Sequence, residues 1–224
     1  MSKAWFVTGT DTGVGKTRAS VALLRSLRRS GLKAVGMKPV AAGAEQASSG
    51  AWVNEDVLAL RHASSVAVPA ALDNPYLLRD PVSPHIAAHN DGTEVQIDTL
   101  VQRFTALRAH ADAVVVEGAG GFCVPLNDTQ TGADLAAALQ LPVLLVVGLR
   151  LGCLNHALLT QQAIAARGLR LAGWVANHLD PAMREPEANL RYLRRHIAAP
   201  LLAEWPWQPD ASADTLTLEL PADG

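Results

Sequence analysis

The sequence has little cysteine and no long apolar run. Its two cysteines, Cys123 and Cys153, lie far apart and form no CxxC pair, which excludes a zinc knuckle and gives no reason to expect a disulfide. We expect both to be small buried residues. The longest apolar run, Pro142–Val147, is far shorter than the ~20 residues that span a bilayer, and the N-terminus carries no cationic stretch followed by an apolar core. These absences predict a cytoplasmic protein with no membrane partner.

The sequence also lacks an excess of charge of either sign. There are 19 basic and 21 acidic side chains, for a net charge of −2, so no electrostatic field is available to hold a polyanion, and nucleic acid is excluded as the main partner. The hydrophobic content of 49% in 224 residues is enough for one buried core. We therefore expect residues 1–224 to form a single domain, with a loosely packed polar tail after Trp207.

Apolar runs alternate with segments of helical periodicity. The nearly continuous hydrophobicity of these runs is typical of parallel strands that are buried on both faces. Repetition of strand, crossover helix and strand predicts a wound α/β fold, a mostly parallel sheet flanked by helices, with ligands at the carboxyl ends of the strands. The predicted strands are Trp5–Thr8, Ala34–Lys38, Ala113–Glu117, Pro142–Val147 and Leu171–Asn177, and the predicted helices are Lys16–Ser30, Ile97–His110 and His156–Arg167. Two long segments, Ala41–Pro84 and Gly118–Asp134, are predicted to be functional loops.

A glycine-rich loop follows the first predicted strand. The stretch VTGTDTGVGKT, residues 7–17, resembles the phosphate-binding pattern G-x-x-x-x-G-K-[ST] but is one residue longer, because counting back from Gly15 lands on Thr10, with Gly9 one step further out. A hydrophobic strand before the loop and good helix formers after it are the context that phosphate binding needs. The sequence therefore predicts a nucleotide-binding loop that is wider than usual.

The residue types of this loop suit a triphosphate. Backbone N–H groups around Gly13–Lys16 would surround the β-phosphate, Lys16 would reach the β- and γ-phosphates, and the Thr17 hydroxyl would ligate Mg²⁺. Partitioning and site-selection ATPases carry a second lysine in this loop, four residues before its last glycine. That position is Asp11 in this sequence, which argues against that class.

Polar residues at or after other strand ends are predicted to meet the same loop. Glu117 ends the strand AVVVE beside the segment GAGG, and carboxylates are ligands that Mg²⁺ prefers. Asp56 begins a short amphipathic helix, where an aspartate serves as a metal ligand or merely as a helix-start residue, and spacing leaves both open. Lys38 ends the second strand. Together with Lys16 it would hold more negative charge than ATP requires, which predicts an anionic second substrate or intermediate.

Six segments, in this order and spacing, resemble those of the dethiobiotin synthetase family. They are FVTGTDTGVGKT, GMKPVAAG, NPYLLRDPVSPHIAA, VVVEGAGGFCVPL, PVLLVVGLRLGCLNHALLT and GWVANHL. The resemblance implies a P-loop NTPase fold and a homodimer. It also implies a reaction in which 7,8-diaminononanoate and CO₂ form a carbamate, ATP phosphorylates the carbamate, and the neighbouring amine displaces phosphate to give a cyclic urea.

The resemblance also assigns roles to individual residues. It places a set of residues around ATP, a metal-ligand set for Mg²⁺, a catalytic set and a substrate set. The ATP set is Gly13, Val14, Gly15, Lys16, Thr17, Arg18, Asp56, Glu117, Gly118, Ala119, Gly120, Asn177, Pro206 and Trp207, and in it Asn177 contacts the adenine. The metal ligands are Thr17, Asp56 and Glu117, and the catalytic set is Thr12, Lys16 and Lys38. The substrate set is Lys38, Ala42, Gly152, Cys153 and Asn155, of which the last three act across the dimer interface.

The sequence departs from the family pattern at Ala42, where a hydroxyl residue is common, and around Ala51–Val53, where an insertion shifts the alignment of Asp56. The ribose contact stays unassigned between Asp210 and Asp214. Two other functions remain as alternatives. One is an ATP-dependent amidating synthetase, which would need a glutaminase domain for which the chain has no room. The other is a nucleotide-switched dimeric ATPase, which typically uses the extra loop lysine.

Overall fold

The computed structural model describes residues 3–208 and 216–221. Its centre is a six-stranded sheet with the strand order β10-β9-β8-β1-β7-β2, and every neighbouring pair in it is parallel. In chain order the elements are β1 (Lys3–Gly9), α1 (Lys16–Arg29), β2 (Ala34–Met37), β3 (Val40–Ala42), β4 (Glu45–Gln46), β5 (Trp52–Val53), α2 (Glu55–Ala63), α3 (Ala70–Asp73), β6 (Tyr76–Leu78), α4 (Pro84–Asn90), α5 (Ile97–Leu107), a 3₁₀ turn (Arg108–His110), β7 (Ala113–Glu117), α6 (Gly132–Leu139), β8 (Val143–Leu149), α7 (Cys153–Ala166), β9 (Leu171–His178), α8 (Pro186–His196) and β10 (Leu201–Trp205).

The central sheet is buried on both faces, as the apolar runs predict. Along β1 and β7, alternate side chains enter two separate core clusters: Phe6 and Val116 lie in one, and Trp5 and Val115 lie in the other. Alternation of this kind follows from the two-residue period of a strand. The predicted wound α/β fold, a mostly parallel sheet flanked by helices, is therefore confirmed. The prediction that residues 1–224 form one domain stays a prediction.

Several elements were missed, and one boundary is wrong. Segment 41–84 is not one long loop, since besides the predicted short helix at Asp56, which is α2, it contains β3 paired with β6, β4 paired with β5, and the helix α3. These strands have two or three residues, which is too few to show an apolar alternation. Helix α7 begins at Cys153, three residues before the predicted start at His156, because Gly152, with a φ of 97°, ends the preceding turn. The helices α6 and α8 and the edge strand β10 were also not predicted.

The described part of the C-terminal tail packs against the core, so the prediction of loose packing is wrong for residues 216–221. Leu216 and Leu218 are buried. Ser26 Oγ donates a hydrogen bond to the Leu218 carbonyl oxygen at 3.0 Å, and Trp205 Nε1 donates to the Thr217 carbonyl oxygen at 3.1 Å. Both candidate ribose contacts, at positions 210 and 214, lie outside the described residues. Within the described ranges, no helix combines the length and apolarity needed to cross a membrane.

The start of α6 provides a test of stability against pH. The Thr131 N–H and Oγ1 both donate to Asp134 Oδ2 at 2.7 Å, and Arg167 forms an ion pair with the same carboxylate. Partial burial works to raise the pKa of Asp134, but Thr131 and then Arg167 outweigh it, and the pKa lies below its ordinary value. A depressed carboxyl pKa stabilises the fold above the unfolded-state pKa, and this contribution is lost as pH falls through the folded-state pKa.

We expect Asp134→Asn to lower the free energy of unfolding by about 1 kcal/mol at neutral pH, as for the loss of a helix-start carboxylate. The difference between the variant and the wild type should shrink as pH falls below the ordinary aspartate pKa. Urea unfolding of both proteins at a series of pH values measures this. A difference that is independent of pH would contradict the assigned cause.

Candidate active site

Three neighbouring strands bring the predicted site residues to one edge of the sheet. Val7 of β1 pairs with Glu117 of β7, and Met37 of β2 pairs with Val116. Lys38, directly after β2, therefore lies beside Glu117. The glycine-rich loop leaves β1 at the same edge, which is where an open α/β sheet binds its ligands.

The glycine-rich loop is wide, and contacts to the sheet fix it in place. Thr10, which occupies the position of the usual first glycine, donates its N–H to the Val146 carbonyl oxygen at 2.9 Å. Gly13 and Gly15 have φ values of 73° and 97°, in a region that favours glycine. Lys16 Nζ donates to the Asp11 carbonyl oxygen at 3.1 Å. The longer loop thus keeps the turn-to-helix geometry of a phosphate site.

Asp11 itself connects the loop to the end of β8. Its Oδ1 accepts a hydrogen bond from the Thr12 N–H at 2.7 Å, and its Oδ2 forms an ion pair with Arg150. Both partners of the ion pair are 44% exposed, so solvent screens it and its contribution to stability is small. The contacts instead orient the loop around Thr12.

A hydroxyl and two carboxylates converge at the start of α1. Thr17 Oγ1 lies 2.6 Å from Asp56 Oδ1 and 2.8 Å from Glu117 Oε1. A hydroxyl has one hydrogen, so it can donate to only one of these carboxylates at a time. Asp56 is held there because the Asn54 side chain accepts its backbone N–H at the start of α2. Three oxygens around one point are a ligand set for a hard divalent cation.

Lys38 lies on the other side of the same carboxylates. Its Nζ is 2.6 Å from Glu117 Oε1 and 2.8 Å from Asp56 Oδ2, and the side chains of Lys38 and Glu117 are 5% and 0% exposed. Burial works to lower the pKa of Lys38, but Glu117 and then Asp56 outweigh it, so the pKa is raised. Burial likewise works to raise the pKa of Asp56, but Lys38 outweighs it and the pKa is lowered. Lys38 is therefore a fixed cation.

Lys16 differs from Lys38 in its charge environment. Burial, followed by repulsion from Lys38, lowers the pKa of Lys16 to about 8. An anion close to Lys16 would reverse this shift, because an opposite charge favours the ammonium form. The cleft thus holds one lysine that is already paired and one whose charged form a bound anion would stabilise.

Asn177 and Arg18 flank the other side of the loop. Asn177 Nδ2 donates to the Val14 carbonyl oxygen at 2.9 Å, and a Cβ atom placed on Gly15 would come within 2.6 Å of that nitrogen. Arg18 Cδ would lie 3.9 Å from the same Cβ. Among residues 3–208 and 216–221, Asn177 Oδ1 and two guanidinium nitrogens of Arg18 are buried without a hydrogen-bond partner. Buried polar atoms normally have partners, so these atoms fit a polar ligand beside the loop.

A cleft of about 720 Å³, here called the main cleft, opens over the glycine-rich loop. Ten predicted site residues line it, together with residues that carried no prediction. The ten are Thr12, Gly13, Gly15, Lys16, Thr17, Lys38, Ala42, Asp56, Ala119 and Gly120; the additional ones are Val40, Glu55, Pro81, Val82, Ser83, Pro84 and Val124. The segment Pro81–Pro84 was missed because it follows no long strand, although it lies within one of the motifs that carry the family resemblance.

Three predicted residues lie beneath the cleft and do not line it. Val14 is 1% exposed and Glu117 is 0% exposed. Gly118 donates its N–H to the Val7 carbonyl oxygen at 2.9 Å, and a Cβ there would come within 3.2 Å of the Phe6 ring. A side chain at Gly118 would therefore be tight against Phe6, and only Ala119 and Gly120 from this segment reach the cleft.

Pro206 and Trp207 line a second cavity, of about 390 Å³, at the carboxyl ends of β9 and β10. His178, the residue after Asn177, also lines this cavity, here called the β9–β10 cavity, and it lies 3.2 Å from Glu204. The cavity therefore begins next to the residue that touches the glycine-rich loop. Its position suits a group attached to a phosphate chain in that loop.

The residues at the start of α7 do not line the main cleft of their own chain. Gly152 and Asn155 are exposed. Cys153 is 2% exposed and packs in the core, so its side chain is not presented at the surface, and burial raises the pKa of its thiol. Cys123 is exposed. The prediction of burial is therefore wrong for Cys123, because Cys123 lies in a turn from which Phe122, and not the cysteine, packs in the core.

The donor set at Thr17 fits Mg²⁺ better than a soft metal. Among the described residues, no group of three or more His, Cys, Asp or Glu side chains is placed to hold a metal ion. A cation at Thr17, Asp56 and Glu117 would thus take its remaining ligands from phosphate and water, as Mg²⁺ commonly does. Glu117 Oε2 is buried and has no hydrogen-bond partner within the described ranges, so it would be available as a further oxygen ligand.

Comparison with known proteins agrees with this geometry. A family model described as an AAA domain matches residues 3–215. A protein of Aromatoleum aromaticum named ATP-dependent dethiobiotin synthetase BioD is 57% identical over 91% of this chain and 90% of its own length. A protein of the same name from Xanthomonas oryzae pv. oryzae is 53% identical over 94% of this chain and 93% of its own length.

Among solved structures, the septum site-determining protein MinD of Pyrococcus horikoshii, complexed with Mg-ADP, has a TM-score of 0.60 and 16% identity over 93% of this chain and 83% of that one. At this level of identity the likeness shows the fold alone, a P-loop NTPase fold. The close relatives, by contrast, agree with this chain over nearly its whole length. The chain therefore belongs to the family of ATP-dependent dethiobiotin synthetases.

Proposed function

We propose that this chain closes the cyclic urea ring of dethiobiotin from 7,8-diaminononanoate and CO₂, with ATP converted to ADP and phosphate. The observation that carries the proposal is the convergence of Lys16 and Lys38 on one cleft beside the Thr17 oxygen cluster. Lys16 suits the triphosphate, and Lys38 suits an anionic reaction partner. The named function of relatives at 50–57% identity supports the same reaction.

ATP would extend across both cavities. In this arrangement residues 13–18 hold the phosphates and residues 118–120 border them, with Gly118 acting through chain packing. The buried Asn177 Oδ1 and the β9–β10 cavity, with Pro206 and Trp207, would receive the adenine. The contact of Asn177 with Val14 places this amide directly against the loop.

Mg²⁺ would be held by Thr17, Asp56 and Glu117, whose oxygens already lie within 2.8 Å of the Thr17 hydroxyl oxygen. An ion held there would supply positive charge that stabilises the phosphate oxygens during transfer. Binding requires Thr17 to turn its hydroxyl hydrogen away from the carboxylates. Glu117 would then lie between two cations, Lys38 and the metal.

The diamine would lie against the opposite surface of the main cleft. Val40, Pro81, Val82, Pro84 and Val124 give that surface an apolar character, which suits the aliphatic chain of a nonanoate. Lys38 and Thr12 would hold the carbamate. Ala42 also lines the cleft and offers no hydroxyl, so it contributes packing to the substrate and no side-chain hydrogen bond.

The reaction needs two displacements. First, a carbamate oxygen attacks the γ-phosphorus and the bond from that phosphorus to ADP breaks, while Lys16 and Lys38 hold the negative charge in line. Then the second amine attacks the carbamate carbon, the carbon–oxygen bond to phosphate breaks, and phosphate leaves with the electron pair. The attacking nitrogen must also lose a proton.

A homodimer would complete the substrate site. Leu151, just before α7, is 94% exposed, and Leu159, in the second turn of α7, is 56% exposed; exposed apolar side chains favour an interface. In the proposed dimer Gly152 and Asn155 reach the partner's cleft, whereas Cys153 acts through its backbone.

We expect a solution mass of two chains by light scattering, and a shift towards one chain in Leu151→Asp. A wild-type mass of one chain would contradict the dimer.

One rival function is a nucleotide-switched ATPase, for which the fold similarity to MinD alone gives no support. The loop position that would carry its second lysine is Asp11, which is paired with Arg150.

The test is to incubate the protein with ATP, Mg²⁺, bicarbonate and the diamine, omitting each in turn, and to follow ADP and dethiobiotin. We expect ADP release to require all four components. Equal ADP release without the diamine would reject the synthetase and favour the switch.

A further inference from the structure

Ser83 and His85 form a side-chain pair on the wall of the main cleft. Ser83 lines the cleft, and its Oγ lies 3.0 Å from His85 Nδ1. Both side chains are partly buried. The pair therefore connects a residue that lines the cleft to a histidine that does not line it.

The usual structural role of a serine at this position is not fulfilled. Ser83 is the N-cap residue of α4, but its side chain makes no capping hydrogen bond to the helix. A serine N-cap normally accepts a hydrogen bond from a backbone N–H two or three residues later. Here the hydroxyl is paired with an imidazole, so helix capping does not explain the contact.

The wall that carries Ser83 is fixed from both sides. Gly43 donates its N–H to the Asp80 carbonyl oxygen at 3.0 Å. Arg79 donates its backbone N–H and its Nε to Asp91 at 2.9 and 2.6 Å, and Asn90 Nδ2 donates to Asp80 Oδ2 at 2.7 Å. These contacts fix the chain just before Ser83 to the end of α4, and a fixed position is a condition for efficient proton transfer.

Ring closure needs a proton acceptor, and the cleft offers few. Of the titratable residues among those lining the main cleft, Lys16 and Lys38 are cations, and Asp56 is engaged with Lys38 and Thr17. Glu55, at the exposed rim, is the remaining carboxylate. The Ser83–His85 pair is thus the candidate acceptor that lies within a fixed wall.

We propose that Ser83 and His85 remove the proton from the attacking amine during ring closure. As the nitrogen bonds to the carbamate carbon and phosphate leaves, its proton passes to Ser83 Oγ and the serine proton passes to His85 Nδ1. The imidazole becomes an imidazolium and later returns the proton to solvent. The relay uses the tautomer of His85 that carries its hydrogen on Nε2. This inference rests on the proposed function and adds the proton acceptor of its second step.

The test separates ring closure from phosphorylation by measuring ADP and dethiobiotin together. In His85→Ala and Ser83→Ala we expect dethiobiotin formation to fall about 10²-fold, a common effect of losing a general base. ADP release should fall less, because carbamate phosphorylation does not use the pair and the phosphorylated carbamate then hydrolyses. The ratio of ADP to dethiobiotin should rise from one to well above one. Since the pair acts as a unit, the double variant should be no slower than either single variant.

Three further variants test whether His85 itself accepts the proton. His85→Asn keeps a hydrogen-bond acceptor for Ser83 but removes the base, so its ratio of ADP to dethiobiotin should stay well above one. A ratio of one with the wild-type rate would make His85 a positioning residue and overturn the relay. His89→Asn, an exposed histidine on the same helix, should keep a ratio of one. Glu55→Gln should also keep a ratio of one. If the ratio rises in Glu55→Gln and not in the His85 variants, Glu55 is the proton acceptor and the relay is wrong.

The products of the wild-type protein show whether the proposed function is wrong or only the relay. If it makes no dethiobiotin, the proposed function fails and the relay fails with it. If it makes dethiobiotin with a ratio of one and the His85 and Ser83 variants lose both products equally, the proposed function stands and the relay is wrong.

Discussion

Lys38→Met is expected to abolish dethiobiotin formation, with a loss of about 10³-fold. The substitution removes the buried cation that would hold the carbamate, and loss of one fixed charge-stabilising group costs about 10²–10³ in rate. It also leaves Glu117, at 0% exposure, without its ion-pair partner. Breaking a buried pair by removing one partner costs about 3–5 kcal/mol. We expect a value near 3 kcal/mol because Thr17 still donates to Glu117. Product formation and urea unfolding measure the two effects.

Two variants separate the chemical loss from the structural one. Lys33→Met changes the exposed lysine that precedes the same strand, and it should leave rate and stability near wild type. Lys38→Met/Glu117→Gln removes both charges and should recover most of the stability without recovering activity. If activity returns with stability, Lys38 is a structural ion-pair residue and has no part in catalysis.

The two lysines of the cleft are suited to different tasks. Lys38 is held by two carboxylates, which raise its pKa despite its burial, so it is a cation before any ligand arrives. Lys16 has a pKa of about 8, and an anion beside it would stabilise its charged form. Phosphate binding and protonation of Lys16 are therefore linked. This division agrees with a fixed site for the carbamate and a ligand-responsive site for the triphosphate.

The sequence predicts the central sheet well because its strands are buried on both faces. Runs such as residues 113–116 are continuously apolar for a physical reason, namely that helices cover both sides of the sheet. The strand ends then locate Lys38 and Glu117 at one edge, since parallel strands share a carboxyl edge. Asp56 could not be decided from spacing, and the structure places it 2.8 Å from Lys38.

Other parts of the site have no comparable signal in the sequence. The wall at Pro81–Pro84 follows β6, which has three residues, so no periodic pattern marks it. Ser83 and His85 are two residues apart, and a serine and a histidine at this spacing are common in any sequence, so the spacing does not indicate their contact. Cys123 is exposed while its neighbour Phe122 packs in the core, and composition alone does not indicate which of the two is buried.

Gly15→Ala is expected to disable the phosphate loop, with a loss of about 10³-fold in activity. Gly15 has a φ of 97°, a conformation that costs an L-residue about 1–2 kcal/mol. In addition, the new Cβ would come within 2.6 Å of Asn177 Nδ2. That nitrogen is buried and donates to Val14, so relief of the clash must move the loop or break this bond. A shift of about 1 Å in catalytic geometry costs about 10²-fold, and displaced backbone donors add to that.

Gly13→Ala is the matched control, because it isolates the contact with Asn177 from the strain of a positive φ. Gly13 also has a positive φ, of 73°, but nothing lies within 4 Å of a Cβ placed there. In the nucleotide-free protein we expect Gly13→Ala to lose about 1 kcal/mol of stability and Gly15→Ala about 3 kcal/mol, the excess arising from overpacking. Gly15→Ala/Asn177→Ala should recover part of that excess. Equal losses at the two glycines would mean that Asn177 yields freely, and its amide would then not be the rigid support for the loop and the nucleotide that the geometry implies.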